Sequence, residues 1–249
     1  MEKKDVALET RLENRSRGAL QHWIWVSIFA IAFAWVESSV VVYLREIYFG
    51  GSFCFPIVVN WEDGKIVTDY LMWIEFGREL ATILMLIAVG CAAGMNALQK
   101  FCFFITAFGI WDIFYYIWLW VMVGWPESIM TWDLLFFVPL PWVGPVITPI
   151  LIALAMAAAG SVIIYYDTKD YKVRWPWYDW VVEFGCGLIM IAAFCWDWEN
   201  ILQVPGDVSY TGIPNPFAWW LYLPAYIFSV FYFAVRLKYI LSAGRDHRF

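Results

Sequence analysis

Six stretches of this chain run for about a bilayer's width with few ionisable side chains, and the polar residues collect between them: 23–44, 71–94, 101–123, 134–166, 179–196 and 217–241. An α-helix rises about 1.5 Å per residue, so roughly 20 apolar residues cross a hydrocarbon core. The pattern predicts an all-α polytopic bundle of about six transmembrane helices. Residues 23–241 would form its single domain, with tails at 1–22 and 242–249. The first stretch exceeds the apolar core of a secretory signal and contains Glu37; it is expected to stay in the mature protein. The fourth starts irregularly. Within WPESIMTWDLLFFVPLPWVGPVITP, prolines 126, 139, 141, 145 and 149 cannot share one regular helix. This predicts an irregular or re-entrant segment near 134–142, then a true span from about 145 to 166. Such backbone survives at membrane depth only where protein or water satisfies it.

Composition agrees: 63% of residues are hydrophobic and 15% charged, against roughly 25% charged in soluble domains. It also narrows the chemistry. Two histidines, His22 and His247, argue against paired-histidine haem and imidazole-rich copper or iron sites. The five cysteines (Cys54, Cys91, Cys102, Cys186, Cys195) form no C-x-x-C, which removes c-type haem and thioredoxin-like redox chemistry. Cys54 and Cys195 fall towards the same face, so a disulfide between them is permitted but not implied. No Walker A, G-x-G-x-x-G or G-x-S-x-G motif occurs. A net charge of −6 argues against nucleic acid as a partner.

Charge asymmetry orients the spans. With the N-terminus inside, all but Arg45, Lys65 and Arg78 of the 16 Lys and Arg fall in inner segments. By the positive-inside rule both termini are expected in the cytoplasm, the membrane being a prokaryotic inner membrane. The outer loops are acidic. Tryptophans cluster at span ends (Trp23, Trp25, Trp125, Trp132, Trp175, Trp177, Trp180, Trp196, Trp198, Trp219, Trp220), as an interfacial aromatic belt would require. Ala153, Ala157 and Gly160, and the Gly90/Gly94 pair, are positions where helices can approach closely.

Ionisable residues at membrane depth carry the most information, because each is costly unless paired or wet. They are Glu37 in the first span, Glu75, Arg78 and Glu79 in the second and Asp112 in the third. With about 1.5 Å per residue, Glu37 lies roughly 10 Å below its outer helix end, Glu75 and Glu79 roughly 6 and 12 Å, and Asp112 roughly 16 Å. All fall in one layer. Glu75, Arg78, Glu79 and Thr82 form one helical stripe, and Asp112 shares its face with Gly109, Tyr115 and Tyr116. A polar pocket between the first three spans, roofed by the proline-rich segment, is therefore expected. Arg45, Asp133, Asp197 and Glu199 would lie at its outer rim. Glu183 stands apart near the inner end of the fifth span, where Lys172 or Arg174 would pair with it or its carboxylate would snorkel.

Four carboxylates against one arginine, or two if Arg45 reaches in, cannot all ionise in a low dielectric. Either some stay protonated, or a hard cation such as Ca²⁺, Mg²⁺ or Mn²⁺ sits among Glu37, Glu75, Glu79 and Asp112. The third alternative is structural, with Arg78 tying all four carboxylates into one buried network. No residue receives a catalytic role and no cofactor is predicted.

The blocks VESSVVVYLREIY, EFGRELATILML, FGIWDIFYYIWL and WPESIMTWDLLFFVPLPWVGPV resemble those of an uncharacterised prokaryotic multi-pass membrane family. They cover about the first two-thirds of the chain and contain the residues selected by depth. The resemblance implies a shared fold and carries no activity. Three functions fit. The first is a non-catalytic subunit of a larger membrane complex, contacting other subunits or further copies of itself and the lipid bilayer. The second is a proton- or cation-binding or transport protein using the four carboxylates. The third is an intramembrane acid–base enzyme on a lipid or isoprenoid, which would need a lipid-wide opening beside Asp112, Tyr115 and Tyr116.

Overall fold

The computed structural model describes residues 2–49, 69–136, 140–169, 171, 173, 175–196 and 217–245. Six helices dominate: α1 (Glu2–Phe49), α2 (Asp69–Ala93), α3 (Ala97–Val123), α4 (Ile147–Thr168), α5 (Trp177–Phe194) and α6 (Trp219–Arg245). Each is long and apolar enough to cross a membrane. The chain is thus a helical, membrane-spanning bundle.

The helices extend beyond the apolar stretches. Residues 2–22, expected as a tail, continue α1 without a break, and α6 likewise runs past 241 to Arg245. At about 1.5 Å per residue the 48 residues of α1 reach about 72 Å, over twice a hydrocarbon core of ~30 Å. Its N-terminal part must therefore project from the bilayer. Arg15 on that projection donates to Asp167 at the end of α4 (3.0 Å), and Gln99 at the start of α3 donates to the same carboxylate (2.6 Å).

Helix α3 is the central post, packed on α1, α2 and α4. Its sequence sets both ends. Asn96 accepts a hydrogen bond from the Gln99 N–H (2.8 Å) as N-cap, and Gly124 ends the helix at φ 71°, a left-handed conformation that suits glycine. Only Gly94–Asn96 separate α2 from α3, so the two run antiparallel. Small residues then set the spacing. A Cβ on Gly90 would lie 2.8 Å from the Phe104 Cα, and one on Gly109 would lie 2.9 Å from the Ala157 N, so neither glycine leaves room for a side chain. Trp118 on α3 donates to the Ile31 carbonyl of α1 (3.0 Å).

The proline-rich segment carries a two-stranded antiparallel ribbon, β1 (Trp132–Phe136) and β2 (Trp142–Pro145), pairing Trp132 with Pro145 and Leu134 with Val143. A bulge between Leu134 and Phe136 shifts the register. Strand backbone can sit here because protein surrounds it: α4 and α5 pack on β2, and Val143 is buried. The ribbon runs straight into α4, where Val146 N–H donates to Thr131 and Ile147 N–H to Ile129. Pro149 falls in the first turn of α4, where a missing N–H does little harm.

Helices α5 and α6 pair with each other and join the rest through α4 and β2. Tyr222 and Tyr226 of α6 donate to the Thr148 and Leu151 carbonyls of α4 (2.6 and 3.2 Å). The aromatic residues divide in a way the sequence did not indicate. Trp25, at the start of the first apolar stretch, and Trp177, Trp196 and Trp220, at helix ends, are exposed, as anchors should be. Trp125 and Trp132, expected in the same belt, are buried at 7% and 8% exposure. Trp125 packs against Tyr116, and Trp132, the first residue of β1, packs against Phe217.

Candidate functional site

The C-terminal half of α1, the N-terminal half of α2, the C-terminal half of α3 and the ribbon enclose a cavity of about 100 Å³. Glu37, Arg78, Glu79, Thr82, Asp112, Tyr115, Tyr116 and Asp133 supply its polar lining. The four carboxylates are each under a tenth exposed: Glu37 5%, Glu79 7%, Asp112 8% and Asp133 4%.

Helical spacing explains how α2 reaches the site. Arg78, Glu79 and Thr82 lie within two turns on one face, so a single helix presents a cation, a carboxylate and a hydroxyl together. Arg78 forms ion pairs with Glu37 of α1 and with Glu75 one turn back, its Nε donating to Glu75 Oε2 at 2.9 Å. Thr82 Oγ1 donates to the other Glu37 oxygen (2.6 Å). Glu37 is thus held on both oxygens from α2. Ser38, next along α1, has its hydroxyl within hydrogen-bonding distance of the Ala34 and Tyr115 carbonyls (2.8 and 3.0 Å), which fixes α1 against α3.

The guanidinium engages part of this set. Arg78 pairs with Glu37 and Glu75, whereas Asp112 makes no ion pair or hydrogen bond among the described residues. The reason is geometric. Asp112 is carried by α3, and the guanidinium fork of Arg78 is filled by Glu37 and Glu75. Glu75 supports Arg78 from behind and does not line the cavity.

Asp133 is one correction. The sequence placed it at the outer rim, but β1 folds back over the bundle and carries it inside. It accepts the Tyr116 hydroxyl (3.0 Å) and its own following N–H, that of Leu134 (2.9 Å). Asp197 and Glu199 lie outside the described residues, as does Cys54 of the permitted disulfide. Arg45 falls within α1, and its side chain is likewise outside the described residues. Glu183 is a second. Its Oε2 accepts the Ser229 hydroxyl of α6 (2.6 Å), and its Oε1 is buried without a partner among the described residues. Lys172 and Arg174, its expected partners, lie outside the described residues.

The chemistry this cavity supports follows from its size and donors. About 100 Å³ holds a few waters, each occupying roughly 30 Å³ in the liquid, and falls well below the ~300–1,000 Å³ of small-molecule sites. Trp111 and Trp142, both on its wall, carry buried indole N–H groups without an acceptor. Unpaired buried donors beside an unpaired buried carboxylate suit water, which accepts from the indoles and donates to the carboxylate. A hard cation finds less: among the described residues, no three Asp, Glu, His or Cys side chains converge as a ligand set.

Two further ionic clusters escaped the sequence reading. Asp179 at the start of α5 is fully buried, accepting Arg236 (2.8 and 3.0 Å) and the Tyr232 hydroxyl of α6. Asp167 joins Arg15 and Gln99, as above. Both aspartates stand at span ends, where an acidic residue ordinarily faces water, and their partners lie 57 and 152 positions away. Sequence spacing carries no signal for such pairings. Comparison with family models, curated proteins and solved structures finds no match to this chain, so its function is argued from this geometry.

Proposed function

We propose that this is an integral membrane protein that binds and exchanges a proton at Asp112, within a wet carboxylate cavity on the outer half of a prokaryotic inner membrane. The single observation that carries this reading is a buried Asp112 carboxyl, without a polar partner, facing a water-sized space. A buried carboxylate without a counter-charge favours its neutral form, and a proton needs only one such acceptor where a divalent cation needs several. Glu37 and Arg78 supply a fixed polar wall. Tyr116 and Asp133 form a hydrogen-bonded pair beside Asp112, able to relay a proton through cavity water. The orientation rests on the asymmetry of Lys and Arg, which puts the ribbon end outside. The inner half of the α1–α3 contact offers only isolated polar groups, such as Ser27 and Thr106, so the site exchanges with one side.

The test is infrared difference spectroscopy of purified protein stepped through pH. A protonated carboxyl stretch should appear and titrate, and Asp112→Asn should remove it. No titrating carboxyl band, or one that survives Asp112→Asn unchanged, would sink the proposal.

A second reading, a subunit of a larger membrane complex, is favoured by α1. Its N-terminal helix runs beyond the expected membrane surface, with Arg15 held by Asp167, as a docking arm would be. The native mass of gently extracted protein tests it. Stoichiometric partners support that reading, and a lone chain or simple homo-oligomer rejects it.

A further inference from the structure

A second, larger cavity of about 1,000 Å³ lies between α4 and the α5–α6 pair, with α3 at its back. Its size reaches the upper end of the range for small-molecule sites. Small residues make the space. On α4, Ala153, Ala157 and Gly160 turn towards α3, where Gly109 and Gly160 leave no room for a side chain. The intervening Ala155, Ala158 and Ala159 border the large cavity. Gly187 of α5 borders it too, and a Cβ built on Gly187 would meet nothing within 4 Å. One alanine-rich helix thus seals a contact on one face and leaves an opening on the other.

The wall is apolar except for a few groups. Asp179 is saturated by Arg236 and Tyr232. Glu183, about 9 Å along α5 from its start, is not: Ser229 satisfies Oε2, while Oε1 is buried with no partner among the described residues. An unmet buried oxygen is costly, and this one lies on the wall of an apolar slot.

We propose that this slot is a binding site for a long-chain lipid bearing a hydroxyl head, a lipid alcohol or phenol, whose hydroxyl bonds Glu183 Oε1 and whose chain lies against Ala159, Gly187 and Phe233. A hydroxyl both donates and accepts, so it matches Glu183 in either protonation state. Lys238 also borders the slot, but a bulky charged phospholipid head would have to leave water to reach Glu183. This site is independent of the Asp112 cavity.

A long-chain primary alcohol carrying a terminal diazirine tests the proposal by photolabelling the full-length protein in lipid nanodiscs. Labelled peptides should come from α4 and α6, and unlabelled alcohol should compete. The matching diazirine alkane, lacking the hydroxyl, should label these peptides about tenfold less, as expected for one hydrogen bond to a buried carboxyl. Glu183→Leu should lower labelling by a similar factor. Gly187→Leu should lower it by narrowing the slot one turn from Glu183, and because its side chain enters open space the bundle should stay folded. Equal labelling by alkane and alcohol, competition by phospholipid as effective as by alcohol, or undiminished labelling of a folded Gly187→Leu protein would each overturn the proposal.

Discussion

Arg78 and Asp112 differ in how their neighbours meet them. Arg78 is clasped by two glutamates, and removing it would leave Glu37 buried with only Thr82 as a partner. Loss of one member of a buried pair costs about 3–5 kcal/mol. Arg78→Ala should therefore lower the thermal unfolding midpoint in detergent more than any single carboxylate replacement in the cavity. Arg78→Lys should recover part of the loss, since an ammonium keeps the charge but not the two-pronged geometry. A wild-type midpoint for Arg78→Ala would refute the account of Glu37. Asp112→Asn should leave the midpoint nearly unchanged, because no partner is stranded. The selection of Glu37, Arg78, Glu79 and Asp112 was legible from depth and helical spacing alone. Which of them pair was not, because the stripe on α2 offers one guanidinium to several carboxylates and only distance decides.

Among the elements, α3 carries most of the architecture, and its glycines hold it close to its neighbours. A Cβ at Gly109 would strike the α4 backbone at Ala153 and Ala157, which cannot move aside as a side-chain tip would. Gly109→Leu should separate α3 from α4 and destabilise the protein by at least the ~1–3 kcal/mol of overpacking. Gly185→Ala on α5, where nothing lies within 4 Å, should be neutral or slightly stabilising, since alanine favours helix by about 1 kcal/mol. The recovered yield of monodisperse protein and its unfolding midpoint distinguish these cases. The ribbon is the element the sequence described least well. Five prolines excluded a continuous helix, but the pairing of β1 with β2 depends on a bulge and on burial beneath α4 and α5, which local spacing does not encode. Asp133 consequently turns inward instead of sitting at a rim.

At the scale of the molecule, α1–α4 form one packed group around α3, and α5–α6 form a pair joined to it by two tyrosine hydrogen bonds and the ribbon. The slot between the groups follows from this division. Six spans return the chain to the side on which it began. Glu127→Cys, between α3 and the ribbon, should react with a membrane-impermeant thiol reagent on intact cells. Arg11→Cys, on the projecting end of α1, should react only after lysis, each measured against the parent chain. The reverse pattern would invert the assigned orientation and move the Asp112 cavity to the inner half.

The sequence by itself determined the membrane class, the six spans, the charge bias from which their orientation is argued, and the layer that holds the buried charges. These depend on hydrophobic length, helical rise and the cost of charge in hydrocarbon, which are local or compositional. Only the tertiary structure decided that Asp112 stands unpaired, that Asp133 folds inward, and that Asp179 and Asp167 find arginines 57 and 152 positions away. It also decided that the small residues of α4 face a contact on one side and a cavity on the other. Those outcomes depend on which helices become neighbours, through packing between segments distant in sequence.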